Sequence, residues 1–264
     1  MRIALGLEYD GSKFFGWQSQ PCGNTVQDVL EGAIARIADR ELRVQCAGRT
    51  DAGVHALAQV VHFDTPVERP LNAWVRGVNR HLPAAAAVRW ARPVADEFDA
   101  RRLARSRSYA YVLLDGPVRP GLYAGRVGWF HHPLDDERIR AAAALLLGEH
   151  DFSAFRSSEC QARSPVRTLY EIRVSRHGAH LLLLFRANAF LHHMVRNLVG
   201  ALVQVGRGAR PVRWAAELLA GRDRRLGAPT FAAGGLYLAG VEYDAHWGLP
   251  GGTRLILPAV LGAP

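Results

Sequence analysis

The chain has 264 residues, room for one sizeable core or two smaller ones, and its 49% hydrophobic and 22% charged composition is that of an ordinary soluble globular protein. No run of about 18 apolar residues could cross a bilayer, and Glu8 interrupts the N-terminus before a secretion signal can form, so the sequence reads as cytoplasmic with no membrane partner. The formal charge of +9 points to a polyanionic partner, nucleic acid first, because guanidinium groups displace the counterions of a phosphate backbone. Lys13 is the single lysine among 33 basic residues; codon usage accounts for arginine over lysine but not for the excess over acids.

Residues 2–9 alternate, with Ile3, Leu5, Leu7 and Tyr9 on one face, and predict a strand. From Thr25 the period changes: Val26, Val29, Leu30, Ala33, Ile34 and Ile37 form an amphipathic stripe with Thr25 as its N-cap. Strands are expected over 42–47 and 58–64, then a helix over about 71–82 that stops at Pro83, then a strand over 87–94. The resulting order, β-α-β-β-α-β, is that of ferredoxin-like and RNA-recognition folds. The second half repeats this order loosely. It has a strand at 109–114, an Ala-rich helix at about 135–147 and a hairpin of 168–175 with 181–187 turning near His177-Gly178. Helices follow at about 190–205 and 212–220, and a closing strand at 236–243. The fold class is therefore α+β: two ferredoxin-like halves, residues 1–100 and 101–249, with mixed, largely antiparallel sheets and a tail over 250–264. Residues 95–107 are the expected junction.

Between two predicted strands lies the polar loop Gly48-Arg49-Thr50-Asp51-Ala52-Gly53-Val54-His55-Ala56. Glycines on either side of Asp51 let a ligand approach the main chain, and Arg49 is a cation and His55 one when protonated, neighbours that would keep a carboxylate ionised, as a nucleophile or base must be. On spacing alone, a capped turn is the better description, since Asp and Gly populate ordinary turns. Arg196 interrupts a helix that is apolar nearly all round, so its charge needs an anionic partner or a route to water. Arg101, Arg102, Arg105 and Arg107 run into Tyr109 and Tyr111, cations and aromatic faces of the kind that hold phosphates and stack bases, or equally a solvated basic linker entering a packed strand. Phe14-Phe15-Gly16-Trp17 is open in the same way, core or stacking platform. Cys22, Cys46 and Cys160 are odd in number and far apart and read as free thiols, and the pairs His131-His132 and His192-His193 lack metal-ligand spacing, so no metal is expected.

These segments taken together resemble one family. Tyr9-Asp10-Gly11-Ser12, Phe15-Gly16-Trp17-Gln18, Gln20-Pro21, Thr25-Val26-Gln27, the 48–56 loop, Gln59-Val60 and His62-Phe63-Asp64 are similar in order to the TruA family of tRNA pseudouridine synthases. Arg107 to Tyr111, His150-Asp151-Phe152, His193 to Asn197 and Gly235 to Leu238 continue the likeness to the end of the second half. The resemblance implies a pseudouridine synthase fold, with Asp51 as nucleophile, Tyr109 contacting and stacking on the target base, and Arg196 paired with the aspartate. It further assigns Arg49 to displacing the base and Leu236 to the uracil pocket. The substrate it implies is uridine on the 3′ side of the tRNA anticodon stem-loop, at nucleotides 38, 39 and 40, and the assembly a homodimer. The chemistry is an isomerisation by base flipping and requires no cofactor. Thr230 to Gly234 departs from the family pattern, and the apolar tail has no family counterpart.

Two other classes are weighed against this. A non-catalytic RNA-binding protein would carry the aromatic RNP1 pattern on a strand, which is absent from the sequence. A glycoside hydrolase would pair Asp51 with a second acid, and no nearby Asp or Glu is suited to that role.

Overall fold

The computed structural model describes residues 1–21 and 23–254, so the predicted thiol at Cys22 and most of the predicted tail lie outside the described residues. The chain forms two compact units, one from residues 1–105 and the segment from Tyr237, the other from Ser106–Leu236.

The first unit contains β1 (Arg2–Tyr9), α1 (Val26–Ala38), β2 (Gln45–Cys46), β3 (His55–Asp64), α2 (Val78–His81) and β4 (Ala86–Val94). The second contains β5 (Ser106–Asp115), β6 (Gly128–Phe130), α3 (Asp136–Ala144), β7 (Gly148–Asp151), β8 (Val166–His177), β9 (His180–Ala187), α4 (Met194–Gly206) and α5 (Trp214–Gly221). A last strand, β10 (Leu236–Glu242), returns the chain to the first unit from Tyr237 onward.

In the first unit β1 is central, antiparallel to β3 through Ile3↔Phe63 and to β4 through Ile3↔Pro93. Two strands share the outer edge of β3: β2 pairs with it antiparallel at Gln45↔His62, and β10 pairs with it parallel at Tyr237↔His55. Burial along β1 does not alternate, since Ala4 on the opposite face is 0% exposed, but the predicted apolar face is inside, with Ile3, Leu5 and Leu7 at most 2% exposed. They share the core with Leu30, Ile34, Phe63 and Trp74, and burying one such side chain contributes about 1.5 to 3 kcal/mol. Thr25 caps α1 as expected, accepting the Asp28 N–H. The helical stretch before Pro83 ends at His81 as expected, although a π segment, Ala73–Gly77, precedes α2.

In the second unit β9 lies between β5 and β8, antiparallel to both, with β7 beyond β8 and β6 parallel to β5. The pairing throughout is mixed and largely antiparallel, the α+β class expected. Gly178, at φ 58, makes the hairpin turn between β8 and β9. The closing strand, expected in the second half, pairs with β3 in the first unit, and the other differences from the sequence reading are local. β6 and β7 have three and four residues, too few to show a period. β3 starts at His55 rather than residue 58, because Ala56 pairs with Tyr9 and His55 with Tyr237, partners remote in sequence. Helix α4 starts at Met194 rather than Phe190, because His193 adopts the left-handed conformation at φ 62 and no helix passes through it.

Candidate active site

In the first unit the segments singled out in the sequence converge on the Asp51 loop. Ahead of Asp51, the amide of Gln59 grips Gly48 at both main-chain groups: Nε2 donates to the Gly48 carbonyl at 2.6 Å, and Oε1 accepts its N–H at 3.3 Å. Thr50 is held twice, its carbonyl accepting from Trp17 N at 2.9 Å and its hydroxyl sharing a proton with Tyr9 Oη at 2.8 Å. After Asp51 the Val54 N–H donates to the Asp51 carbonyl at 3.1 Å, a turn that Gly53 permits at φ 79. Gln59 is 0%, Tyr9 5% and Thr50 7% exposed, so these bonds are made away from water, where an orphaned partner costs about 1 to 3 kcal/mol. The main chain on both sides of Asp51 is thus fixed, while Asp51 itself is half-buried and Arg49 is exposed.

Further along the loop, His55 is 2% exposed and stacks on Tyr237 at 4.5 Å between ring centres, and its Nδ1 lies 3.0 Å from the Gly11 nitrogen and 3.2 Å from Asp10 Oδ1, so the acid it meets there is Asp10. Gly11 is required here by space, since a Cβ on it would lie 1.9 Å from the Val54 carbonyl oxygen. The aromatics of residues 14–17 divide, Phe14 and Trp17 packing against Tyr9 in the core and Phe15 remaining 55% exposed. Cys46 and Cys160 are free thiols. Burial pushes the Cys46 thiol up to about 12, against the pull of Arg49 and Arg101, so it is unreactive near neutrality.

The second unit carries Tyr109, Arg196 and Leu236. Tyr109 sits on β5, 8% exposed, with its ring edge-on to Phe190 at 5.0 Å. Arg196 is the third residue of α4 and is tied to Phe231 in both directions: its Nε donates to the Phe231 carbonyl at 2.8 Å, and Phe231 N donates to its carbonyl at 3.3 Å. The next residue, Asn197, accepts from Thr230 Oγ1 at 2.7 Å and from Arg224 at 3.0 Å, and donates to the Phe155 carbonyl. The Ala232 carbonyl accepts from Tyr111 Oη at 2.8 Å, so the segment that departs from the family pattern is held along its length. Leu236, 5% exposed, follows it as the first residue of β10.

Gln59, Tyr9 and Thr50 have no individual role in the sequence reading, although a glutamine inside the apolar run of β3 is a signal, since a buried amide needs partners.

Comparison with known proteins places the chain in a family. The profile of the family described as tRNA pseudouridine synthase matches residues 7–101 and 142–244. The chain is 60% identical over 257 residues to tRNA pseudouridine synthase A of Aromatoleum aromaticum, covering 97% of each chain. It is 58% identical over 250 residues to the protein of that name from Dechloromonas aromatica, covering 95% of each. A third relative of the same name, from Burkholderia cenocepacia, is 58% identical over 263 residues, covering 100% of this chain and 95% of its own. Matches of this extent show that the chain belongs to the tRNA pseudouridine synthase A (TruA) family of RNA isomerases.

Proposed function

We propose that the protein converts uridine to pseudouridine in tRNA, on the 3′ side of the anticodon stem-loop, with Asp51 as its nucleophile. The observation that carries this reading is the fixed main chain around a half-buried Asp51, in a chain similar to tRNA pseudouridine synthases from end to end. A carboxylate must be held rigidly to attack, because a misplacement of about 1 Å costs on the order of 100-fold in rate.

The reaction breaks the bond from ribose C1′ to N1 and forms one from C1′ to C5; N1 gains a proton and C5 loses one, so composition and oxidation state are unchanged. The base leaves its stack first, at a cost of a few kcal/mol that is least in loops and at stem ends. Arg49 takes the vacated space, Tyr109 stacks on the extracted ring and Leu236 lines the uracil pocket. Asp51 then acts at C1′, at C6 or on the C2′ proton, three routes open to an ionised carboxylate. Arg196 keeps it ionised and oriented, and Tyr109 receives the C5 proton. The assembly proposed is a cytoplasmic homodimer, and its excess of arginine suits recognition through backbone and shape.

The test is pseudouridine mapping after incubation of unmodified tRNA with purified protein, with chelator and without cofactor. Conversion by the native chain and none by Asp51→Asn are expected. An active Asp51→Asn protein removes Asp51 as nucleophile, and inactivity of the native chain removes the function.

A further inference from the structure

Phe15 is the exposed aromatic of residues 14–17, and its neighbours in the chain place it beside the Asp51 loop. Gly16, at φ 86, is pressed against that loop: a Cβ on it would lie 2.9 Å from the Thr50 carbonyl oxygen and 3.1 Å from the Asp51 carbonyl carbon. Consecutive Cα atoms are about 3.8 Å apart, so the side chain of Phe15 starts within roughly 8 Å of the Asp51 main chain. The main chain of Phe15 is itself fixed at both groups. Its N–H donates to the Asn24 carbonyl at 2.9 Å, and its carbonyl accepts from Gln20 Nε2 at 2.8 Å. Phe14 and Trp17 are 5% and 1% exposed, while the Phe15 ring is left to solvent. Two residues before it, Lys13 is exposed, and its ammonium group forms no hydrogen bond or ion pair among the described residues.

Apolar side chains exposed singly are common on protein surfaces. What sets Phe15 apart is an immobilised backbone, in a segment that braces the loop of the proposed nucleophile. A planar apolar face already held in place loses little freedom when a flat partner settles on it, so most of the stacking energy is kept as affinity. A nucleobase is such a partner, since every base has a π-face, and Lys13 is a cation suited to its phosphate. Extraction of the target uridine also unstacks the nucleotides beside it, and a base turned outward there needs a new face.

We propose that Phe15 is a stacking residue that receives a base of the RNA next to the target uridine and contributes to binding without touching the reacting atoms. The inference rests on the proposed tRNA substrate and on Asp51 as the point where the target uridine is held. The experiment compares the full-length native protein with Phe15→Leu, which keeps an apolar side chain but no ring, and Phe15→Tyr, which keeps the ring. Binding of anticodon-arm RNAs is followed by fluorescence anisotropy over a range of salt, with intact RNA and with RNAs lacking one base at each nucleotide flanking the target. Turnover is followed by pseudouridine formation, and folding by Tm.

Phe15→Leu is expected to weaken binding and raise KM roughly ten-fold, the loss of one stacked base, with the effect falling on KM rather than kcat and with Tm near the native value. The slope of log K against log salt should stay native, because no phosphate contact is lost. Phe15→Tyr should restore both constants. One of the abasic RNAs should bind the native protein roughly ten-fold more weakly than intact RNA does, yet bind Phe15→Leu as well as intact RNA does, the coupling that marks a shared contact. Native affinity and KM in Phe15→Leu overturn the proposal. So does a Tm lowered by several degrees that Phe15→Tyr does not restore, the mark of a structural ring, and so does a reduced salt slope. Absence of coupling with every abasic RNA overturns the assignment to a base. A native protein that shows this coupling but forms no pseudouridine removes the proposed activity and leaves the stacking residue standing.

Discussion

Gln59 grips Gly48 three residues before Asp51, and its removal separates stability from catalysis. Gln59→Ala leaves a part-buried carbonyl and N–H without that partner, a loss of about 1 kcal/mol on a urea melt. The larger effect belongs to turnover. A loosened loop should lower kcat on the order of 100-fold, because Asp51 loses its fixed position. Steady-state kinetics on tRNA check this, and a native kcat in a destabilised variant would make the grip structural alone. Asp51 and Arg196 were legible as residues whose charges needed explanation. Gln59, Tyr9 and Thr50 were not legible as a network, because Tyr9 bonds Thr50 across 41 positions and Gln59 across 50, distances at which sequence periodicity is silent. The contacts of His55 were hidden for the same reason: Gly11, whose nitrogen lies 3.0 Å from its Nδ1, is 44 positions away.

Elements were legible where their determinants are local. The start of α1 follows from Thr25, which accepts the Asp28 N–H at 3.2 Å and donates its hydroxyl to the Asp28 carboxylate at 2.6 Å, all within one turn. Thr25→Ala should cost about 1 kcal/mol and lower Tm by several degrees in thermal melts followed by circular dichroism. A Tm equal to the native value would show that α1 is set by packing rather than by its cap. Short strands carry no such local mark. The edge strand β2 covers two residues rather than the expected six, and β6 and β7 exist because neighbouring strands offer them bonds. Asn79 shows how such remote ties work, clamping both main-chain groups of Val88 and so fixing α2 against β4 at 2.8 and 2.7 Å.

For the whole molecule, the α+β class and the preference for a polyanion followed from composition and period. What composition hid is a dependence of stability on pH. His62 is 2% exposed and accepts the Ala100 N–H at Nδ1; burial, reinforced by the charge of Arg2, holds its pKa below the usual 6.5. Burial lowers His180 in the second unit too. Between each lowered value and 6.5 the unfolded chain binds more protons than the folded one. Stability is therefore full above 6.5 and is lost as pH falls below it. The carboxylate of Asp64, held below 3.8 chiefly by its bond to Arg2, contributes above 3.8 and is lost only in stronger acid. Tm should fall as pH is lowered from about 7 to about 5, and His62→Asn, which keeps an acceptor near Nδ1, should flatten that fall. A native Tm indifferent to pH across that interval contradicts the assignment.

The parallel pairing of β10 with β3 sets a timetable for biosynthesis. His55 and Tyr237 are about 180 positions apart, so at roughly 5 to 20 residues per second the ribosome needs on the order of 10 to 40 seconds to deliver Tyr237 after His55 has emerged. Throughout that interval the nascent edge of β3 at His55 and Ala56, next to the Asp51 loop, has its backbone groups open to other chains. The first unit therefore cannot mature on a strictly N-terminal schedule, and its edge is a natural client for chaperones until the last strand arrives.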